Sequence, residues 1–339
     1  MSEDGRPLDV ARRISAWGRT RFDAAFTVQE LAAPKTGRSS ETYLIDATLG
    51  AGDRARPVRW VVRIEARGHQ VYEDPSVERQ YRIIQQLQGQ LGGPPTPKAI
   101  CYEPDSAILG APFFLMERVE GEAPPDAYHM DGVLAQASPA ARQTMWLSGV
   151  EALARLHRLP TEPFAFLGQP QFGDCGLDQE LGRWDRYRRW AGTSPSPILD
   201  RARAWLQTHK PRRAGVGFAW GDARLSNILF HEDRCVGVLD WETASLGGAE
   251  TDLGWWLAYD HMVSAFAGAP RLEGLGGRDD TIAAWESFAG RKAEAMEWHE
   301  VFATYRFALV LERAMALAAS GPDARRDNFA LRRLEEMSP

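Results

Sequence analysis

A chain of 339 residues, 44% hydrophobic and 25% charged, has room for two lobes with sizeable cores and reads as an ordinary globular protein. A net charge of −6 argues against a nucleic-acid-binding role, and the apolar run 253–270 carries Asp260 and His261, so no membrane segment is expected. Cys101, Cys175 and Cys235 lack metal or redox spacing and the charged amino terminus lacks an apolar signal core, which together point to reduced thiols in a cytoplasmic protein.

In chain order, residues 8–18 read as an amphipathic helix with Leu8, Ile14 and Trp17 as apolar contacts. Strands are expected at 25–32 and 41–49, joined by the turn 35–40, and at 59–64. Apolar residues at helical spacing over 77–87 predict a helix that stops at Gly89. Further strands are expected at 99–102 and 112–119. The segment 121–125, rich in Pro and Gly, reads as a crossing, giving a β-rich lobe at 1–118 and a mainly helical lobe at 119–339. Helical patterns follow at 140–158, 178–192, 197–209, 279–290 and 292–318, with a loop at 163–176.

The most informative stretch is Trp220-Gly221-Asp222-Ala223-Arg224-Leu225-Ser226-Asn227, followed by Val238-Leu239-Asp240-Trp241-Glu242. Residues 217–220 read as a short strand ending at a Gly turn. Residues 228–230 and 236–239 read as two strands, with 231–234 as the turn between them. Such a hairpin would bring Asn227 and Asp240 to one end, close enough to share a cation. Phosphoryl transfer needs a carboxylate beside the attacking hydroxyl and hard oxygen ligands for Mg²⁺ at the phosphates. The protein-kinase catalytic loop spaces its base and metal ligands in this way.

At these residues the chain resembles the aminoglycoside-phosphotransferase-like family of small-molecule kinases. It looks closest to the bacterial branch related to the kinase-like domains of some acyl-CoA dehydrogenases. The family loop usually reads H-G-D-x-x-x-x-N, and Trp220 stands where His is usual. The resemblance covers about residues 25–318. It implies an α+β, bilobal, protein-kinase-like fold with a β-rich N-lobe carrying one helix. Asp222 would be the base, Asn227 and Asp240 the metal ligands, and ATP or GTP with Mg²⁺ the cofactors.

The same resemblance puts Arg63 where the phosphate-gripping lysine is usual and Gln80 where its helix Glu is expected, with Glu78 as a substitute after a shift in helix rotation. A surface strand residue is the other reading of Arg63. Gly37, Ser39 and Ser40 occupy the nucleotide-positioning loop, though a plain hairpin turn would look the same. The Glu117 carbonyl and Val119 amide would meet adenine. Asp252 would brace the catalytic loop, or be a helix N-terminal acid. His157 reads as a packed core histidine.

Family placement puts Glu242, Tyr187, Arg188, Trp256, Tyr305 and Arg306 along the acceptor pocket; read alone, the aromatic and basic residues on those helices are core aromatics with solvated charges. The segment 183–189 carries four Arg against one Asp, which favours an anionic or neutral acceptor such as a hydroxyacyl-CoA or another hydroxylated metabolite. Two rivals remain: a nucleotide-binding protein with little catalysis, motivated by Arg63, Gln80 and Trp220, and a protein kinase. The second lacks an A-P-E segment and a long activation loop, because Asp252 follows Asp240 within twelve residues. The sequence leaves oligomeric state and the choice of ATP or GTP open.

Overall fold

A computed structural model describes residues 6–33, 41–68, 70–174, 176–212, 216–267, 270–318 and 328–337. The chain divides into two compact units, one drawn from 1–70, 74–88 and 97–119, the other from 71–73, 89–96 and 120–339. The main division falls at 119/120, one residue from the expected boundary at 118/119, and two short segments of the first stretch join the second unit. The short segments 71–73 and 89–96 belong to the second unit because its polar groups hold them. Tyr187 OH donates to Val71 O at 2.8 Å and Arg186 grips Glu73. Arg155 donates to Gly92 O, and Val238 N to Pro95 O at 2.8 Å.

The first unit is a helix, α1 (Arg6–Arg21), on an antiparallel sheet. Its strands β1 (Thr27–Ala32), β2 (Glu41–Leu49), β3 (Arg56–Ile64), β4 (Ala99–Glu103) and β5 (Phe113–Glu117) are ordered β1-β2-β3-β5-β4. Alternate residues of β2 (Tyr43, Ile45, Ala47) and β3 (Trp60, Val62, Ile64) line one core. Val10, Ile14 and Trp17, at i, i+4 and i+7 of α1, close it. Leu8 is one position off that stripe and 76% exposed, so it is not the apolar contact expected of it. The β2–β3 ladder runs from Glu41↔Ile64 to Leu49↔Arg56, which starts β3 earlier than expected; Pro57, next to the strand's first residue, is tolerated there. Helix α2 (Val77–Gln88) buries Val77, Gln80, Ile83, Ile84 and Leu87. A single helical turn, α3 (Ser106–Leu109), capped by Asp105, was not anticipated.

The second unit holds the hairpin β6 (Ile228–His231) and β7 (Arg234–Val238). Its helices are α4 (Gly132–Gln136), α5 (Pro139–His157), α6 (Gly176–Ala191), α7 (Pro197–Thr208), α8 (Ala249–Ala267), α9 (Arg278–Ala289), α10 (Met296–Ala318) and α11 (Phe329–Met337). Helix α8 is absent from the helical patterns expected from sequence, although one reading of Asp252 makes it a helix N-terminal acid. Residues 249–259 are buried on every side, which erases the apolar stripe that periodicity detects. It packs on α10 so closely that a Cβ at Gly254 would lie 2.7 Å from the His299 backbone. Helix α10 starts at Met296 rather than 292, after Ala295 turns the chain at φ 50°. The expected loop at 163–176 contains two short 3₁₀ turns, Glu162–Leu167 and Pro170–Phe172. The expected strand at 217–220 is reduced to isolated bridges, Gly217↔Gly247 and Ala219↔Ser245.

No described helix is long and apolar enough to cross a membrane. Cys101 and Cys235 are free thiols, pushed by burial up to about 11 and about 12 and hence unreactive near neutrality; Cys175 lies outside the described residues.

Candidate active site

The β6–β7 hairpin turns in two residues rather than four. Glu232 and Asp233 both have positive φ (47° and 60°), the backbone of a tight primed turn matched to strand twist. The register Ile228↔Val238, with Leu239 N donating to Asn227 O at 2.9 Å, carries Asn227 and Asp240 to the same end. Asp240 has φ 60°, a conformation that a non-glycine residue keeps only when its surroundings enforce it. Trp220 supplies part of that enforcement: its indole N–H donates to the carbonyls of Leu239 (2.8 Å) and Asp240 (2.9 Å). The tryptophan in the usual histidine position is therefore a hydrogen-bond donor to the segment carrying Asp240.

Asp222 is 8% exposed and its carboxylate takes three donors. Trp255 Nε1 donates to Oδ1 at 2.8 Å, while Asn227 Nδ2 (2.7 Å) and Arg224 Nε (3.0 Å) donate to Oδ2. Burial raises its pKa; the Arg224 cation opposes that shift and the Asp240 charge adds to it. Gly221, just before it, has φ 90°, and a Cβ there would lie 2.2 Å from Thr243 O, so the loop admits no side chain at that position. Asn227 Nδ2 also donates to Asp222 O at 3.0 Å. Both amide bonds use the nitrogen and turn the Asn227 oxygen elsewhere. Arg224, which sequence reading passed over, is held by Asp126 and Tyr259 OH, each at 2.5 Å. Its signal was visible: a cation two residues beyond the candidate base.

The loop backbone is braced from behind. Asp252, fully buried, accepts from Trp220 N (2.6 Å), Gly221 N (2.7 Å) and His157 Nε2 (2.9 Å). Trp285 Nε1 donates to His157 Nδ1 at 3.0 Å, so the ring proton sits on Nε2, facing Asp252. Arg306 Nη2 donates to Gly221 O at 2.7 Å.

Several residues expected along the acceptor pocket belong instead to this framework. Arg306 is 1% exposed, and Tyr305 and Trp256 are also buried in helix packing. Tyr187 spends its hydroxyl on Val71 O, and Arg188 pairs with Asp200 at 2.8 Å. Arg183 binds Thr243 O and Glu180, and Arg186 binds Glu73. Three of the four arginines in 183–189 thus have internal acidic partners, which removes the charge surplus that favoured an anionic acceptor. Glu242 is buried two residues beyond Asp240. Tyr72, unmarked in the sequence, stands beside this cluster. Burial raises its hydroxyl pKa well above the ordinary tyrosine value, and the nearby charges of Asp222, Glu242 and Asp240 add to the rise.

In the first unit, Arg63 lies opposite Phe114 in the β3–β5 ladder and is buried. Gln80 is 1% exposed, and neither atom of its amide has a hydrogen-bond partner among the described residues. Gln80 therefore makes no hydrogen bond to Arg63, and Glu78 is on the exposed face of α2. Glu117 ends β5 with its N–H on Lys98 O, and Val119 lies beyond the strand. Gly37, Ser39 and Ser40 lie outside the described residues.

Among the described residues no cluster of three or more His, Cys, Asp or Glu forms a metal cage. What the hairpin end offers is one carboxylate, Asp240, and one amide oxygen, Asn227, aimed by the bonds of its own nitrogen. Two hard oxygen donors fit Mg²⁺, which retains waters and binds phosphate oxygens alongside few protein groups.

A sequence profile of the phosphotransferase enzyme family matches residues 30–291. Acyl-CoA dehydrogenase family member 10 of Mus musculus is 28% identical over 247 residues, 72% of this chain and 21% of its own length. A probable acyl-CoA dehydrogenase of Arabidopsis thaliana is 26% identical over 298 residues, 81% of this chain and 34% of its own. The chain thus spans about a fifth to a third of these relatives. A Ralstonia eutropha protein, provisionally named an aminoglycoside phosphotransferase, shares the fold with a TM-score of 0.69 at 22% identity over 96% of both chains. A thermostable mutant of aminoglycoside phosphotransferase APH(4)-Ia, solved with ADP and hygromycin B, aligns with a TM-score of 0.62 at 12% identity over 96% of this chain and 97% of its own.

Proposed function

Because the chain belongs to the phosphotransferase enzyme family, we propose that it moves the γ-phosphoryl group of ATP or GTP to a hydroxyl of a small molecule. The observation that carries this reading is the single constellation of Asp222, Asn227 and Asp240 at the open end of the β6–β7 hairpin. Asp222 takes the acceptor's proton, and Asn227 and Asp240 would hold Mg²⁺, which would supply neutralisation of phosphate charge. Arg224, fixed by Asp126 and Tyr259, keeps positive charge beside the base. Arg63 contacts nucleotide phosphates in place of a lysine, with Ser39 and Ser40 on the phosphates and Glu117 and Val119 at adenine.

For the acceptor we favour a hydroxyacyl-CoA. The support is that two relatives carry acyl-CoA dehydrogenase names while extending well beyond the length matched here. A kinase acting on a hydroxylated acyl thioester would share a substrate class with such enzymes. One observation favours the rival, nucleotide binding with little catalysis: Gln80 makes no hydrogen bond to Arg63.

Calorimetry with and without Mg²⁺ separates these readings, followed by a coupled assay with hydroxyacyl-CoAs and other hydroxylated metabolites. ATP affinity is expected to depend on Mg²⁺, and Asp240→Ala to abolish that dependence. Arg63→Ala is expected to weaken triphosphate binding far more than adenosine binding. Equal affinity with and without the metal in the unmodified protein overturns the metal assignment. Metal-dependent binding without transfer to any acceptor favours the rival.

A further inference from the structure

The two oxygens of Asp222 are not equivalent. An ionised carboxylate has about four lone-pair positions shared by its oxygens. Oδ2 takes two donors, Asn227 Nδ2 and Arg224 Nε, and Oδ1 takes one, Trp255 Nε1. The remaining position belongs to Oδ1. Trp255 is in turn gripped from its face. The Arg306 guanidinium carbon lies 4.5 Å from the Trp255 ring centroid and 4.9 Å from that of Trp184, with Phe302 at 5.6 Å. The same guanidinium donates to Gly221 O, the carbonyl directly before Asp222.

We propose that Oδ1 of Asp222 is the oxygen that receives the acceptor's proton, and that Trp255, clamped by Arg306 against Trp184, is the positioning residue that aims it. The proposal rests on the phosphotransferase reading of this site. In the step, the acceptor O–H bond breaks and its proton passes to Oδ1. The acceptor oxygen bonds to the γ-phosphorus, and the bond from that phosphorus to the β–γ bridging oxygen breaks. The bridging oxygen leaves with the electron pair as part of the nucleoside diphosphate.

Three helices supply the clamp: α6 gives Trp184, α8 Trp255 and α10 Arg306. A guanidinium buried at 1% exposure, with Nε and Nη1 lacking hydrogen-bond partners among the described residues, is an expensive core filler. Burial even lowers its pKa from the ordinary arginine value. Two indole faces offset that expense through cation–π attraction, and a lysine, with no planar fork, could not stack on both rings while reaching Gly221. The arrangement fastens with one cation both the backbone before the base and the ring that orients its side chain.

Trp255→Phe keeps the stacked ring and removes the N–H. With Mg·ATP and hydroxybutyryl-CoA as probes, and phosphate release to water measured in parallel, kcat is expected to fall about ten- to a hundredfold, the weight of one hydrogen bond to a charged group. Nucleotide affinity should hold. The acid limb of the pH–kcat profile should move to higher pH, because a donor that favours the ionised carboxylate is gone. Arg306→Lys, read in the same way, serves if the first variant fails to fold. An unmoved acid limb with near-normal kcat overturns the proposal while leaving the phosphotransferase reading standing. Failure of the unmodified protein to transfer phosphate to hydroxybutyryl-CoA or to the wider metabolite panel removes both.

Discussion

Two parts of the second unit, both carrying sequence candidates, fared differently. In the segment 217–242, the candidates Asp222 and Asn227 are joined directly, and Arg224 and Trp255 donate to the same carboxylate, all by bonds of 2.7–3.0 Å. On α6, α8 and α10, the candidates went into packing: Arg306 holds Gly221 O, Tyr187 holds Val71 O, Arg188 pairs with Asp200, and Trp256 and Tyr305 are buried. Short loops joined by a hairpin translate spacing along the chain into spacing in space, since the ladder fixes register. Long helices expose several faces to different neighbours, and which face meets the site is set by packing partners distant in sequence. Aromatic and basic residues at helical spacing mark a contact face without saying what it contacts.

If the hairpin segment carries the chemistry, Asp222→Asn should leave folding and Mg·ATP binding nearly intact while lowering single-turnover transfer by about 10²- to 10⁴-fold. Because burial raises the carboxyl's pKa and the ionised form is the base, activity of the unmodified protein should fall as pH drops through a range above the ordinary carboxylate value. A variant retaining a third of the rate would move the chemistry elsewhere, with Glu242, a buried carboxylate two residues beyond Asp240, to consider.

Asp252 tests the boundary between the two parts. Asp252→Ala leaves the N–H groups of Trp220, Gly221 and His157 buried without their acceptor, and a loss of about 3–5 kcal/mol in denaturant unfolding is expected. A loss below about 1 kcal/mol would show that the loop holds its own shape.

His299 on α10, as framework, should report in stability rather than turnover. Burial holds His299 down at about 4, against an ordinary 6.5. Its contribution is present in full above about pH 6.5. It is lost as pH falls toward 4, because the unfolded chain binds a proton that the folded chain refuses. The full effect is roughly 3 kcal/mol. His299→Gln should therefore flatten the decline of Tm between pH 6.5 and 4 and leave kcat at neutral pH unchanged. A change in kcat with an unaltered Tm profile would put His299 in the site.

The smallest effect is expected at Arg188. Its pair with Asp200 is partly exposed, so Arg188→Ala should change stability by no more than about 1 kcal/mol and leave acceptor KM unmoved. A severalfold rise in KM would return α6 to the acceptor pocket.

By itself, the sequence determined the five strands of the first unit along the chain with α1 and α2, most helix positions in the second, and the spacing Asp222–Asn227–Asp240. These follow from local rules: periodicity of two or 3.6, caps and breakers, and a hairpin that converts spacing into proximity. The tertiary structure alone decided that α8 is a helix, since burial on every side leaves no periodic contrast to read. It also decided that Trp220 reaches two carbonyls of the segment carrying Asp240, that Gln80 does not bond Arg63, and that Tyr72 stands near Asp222. The same holds for Arg306, whose charge points into the core between two indole rings. Each of these depends on which distant elements pack together, and a contact between residues 50 or 100 positions apart has no period and leaves no local mark in the chain.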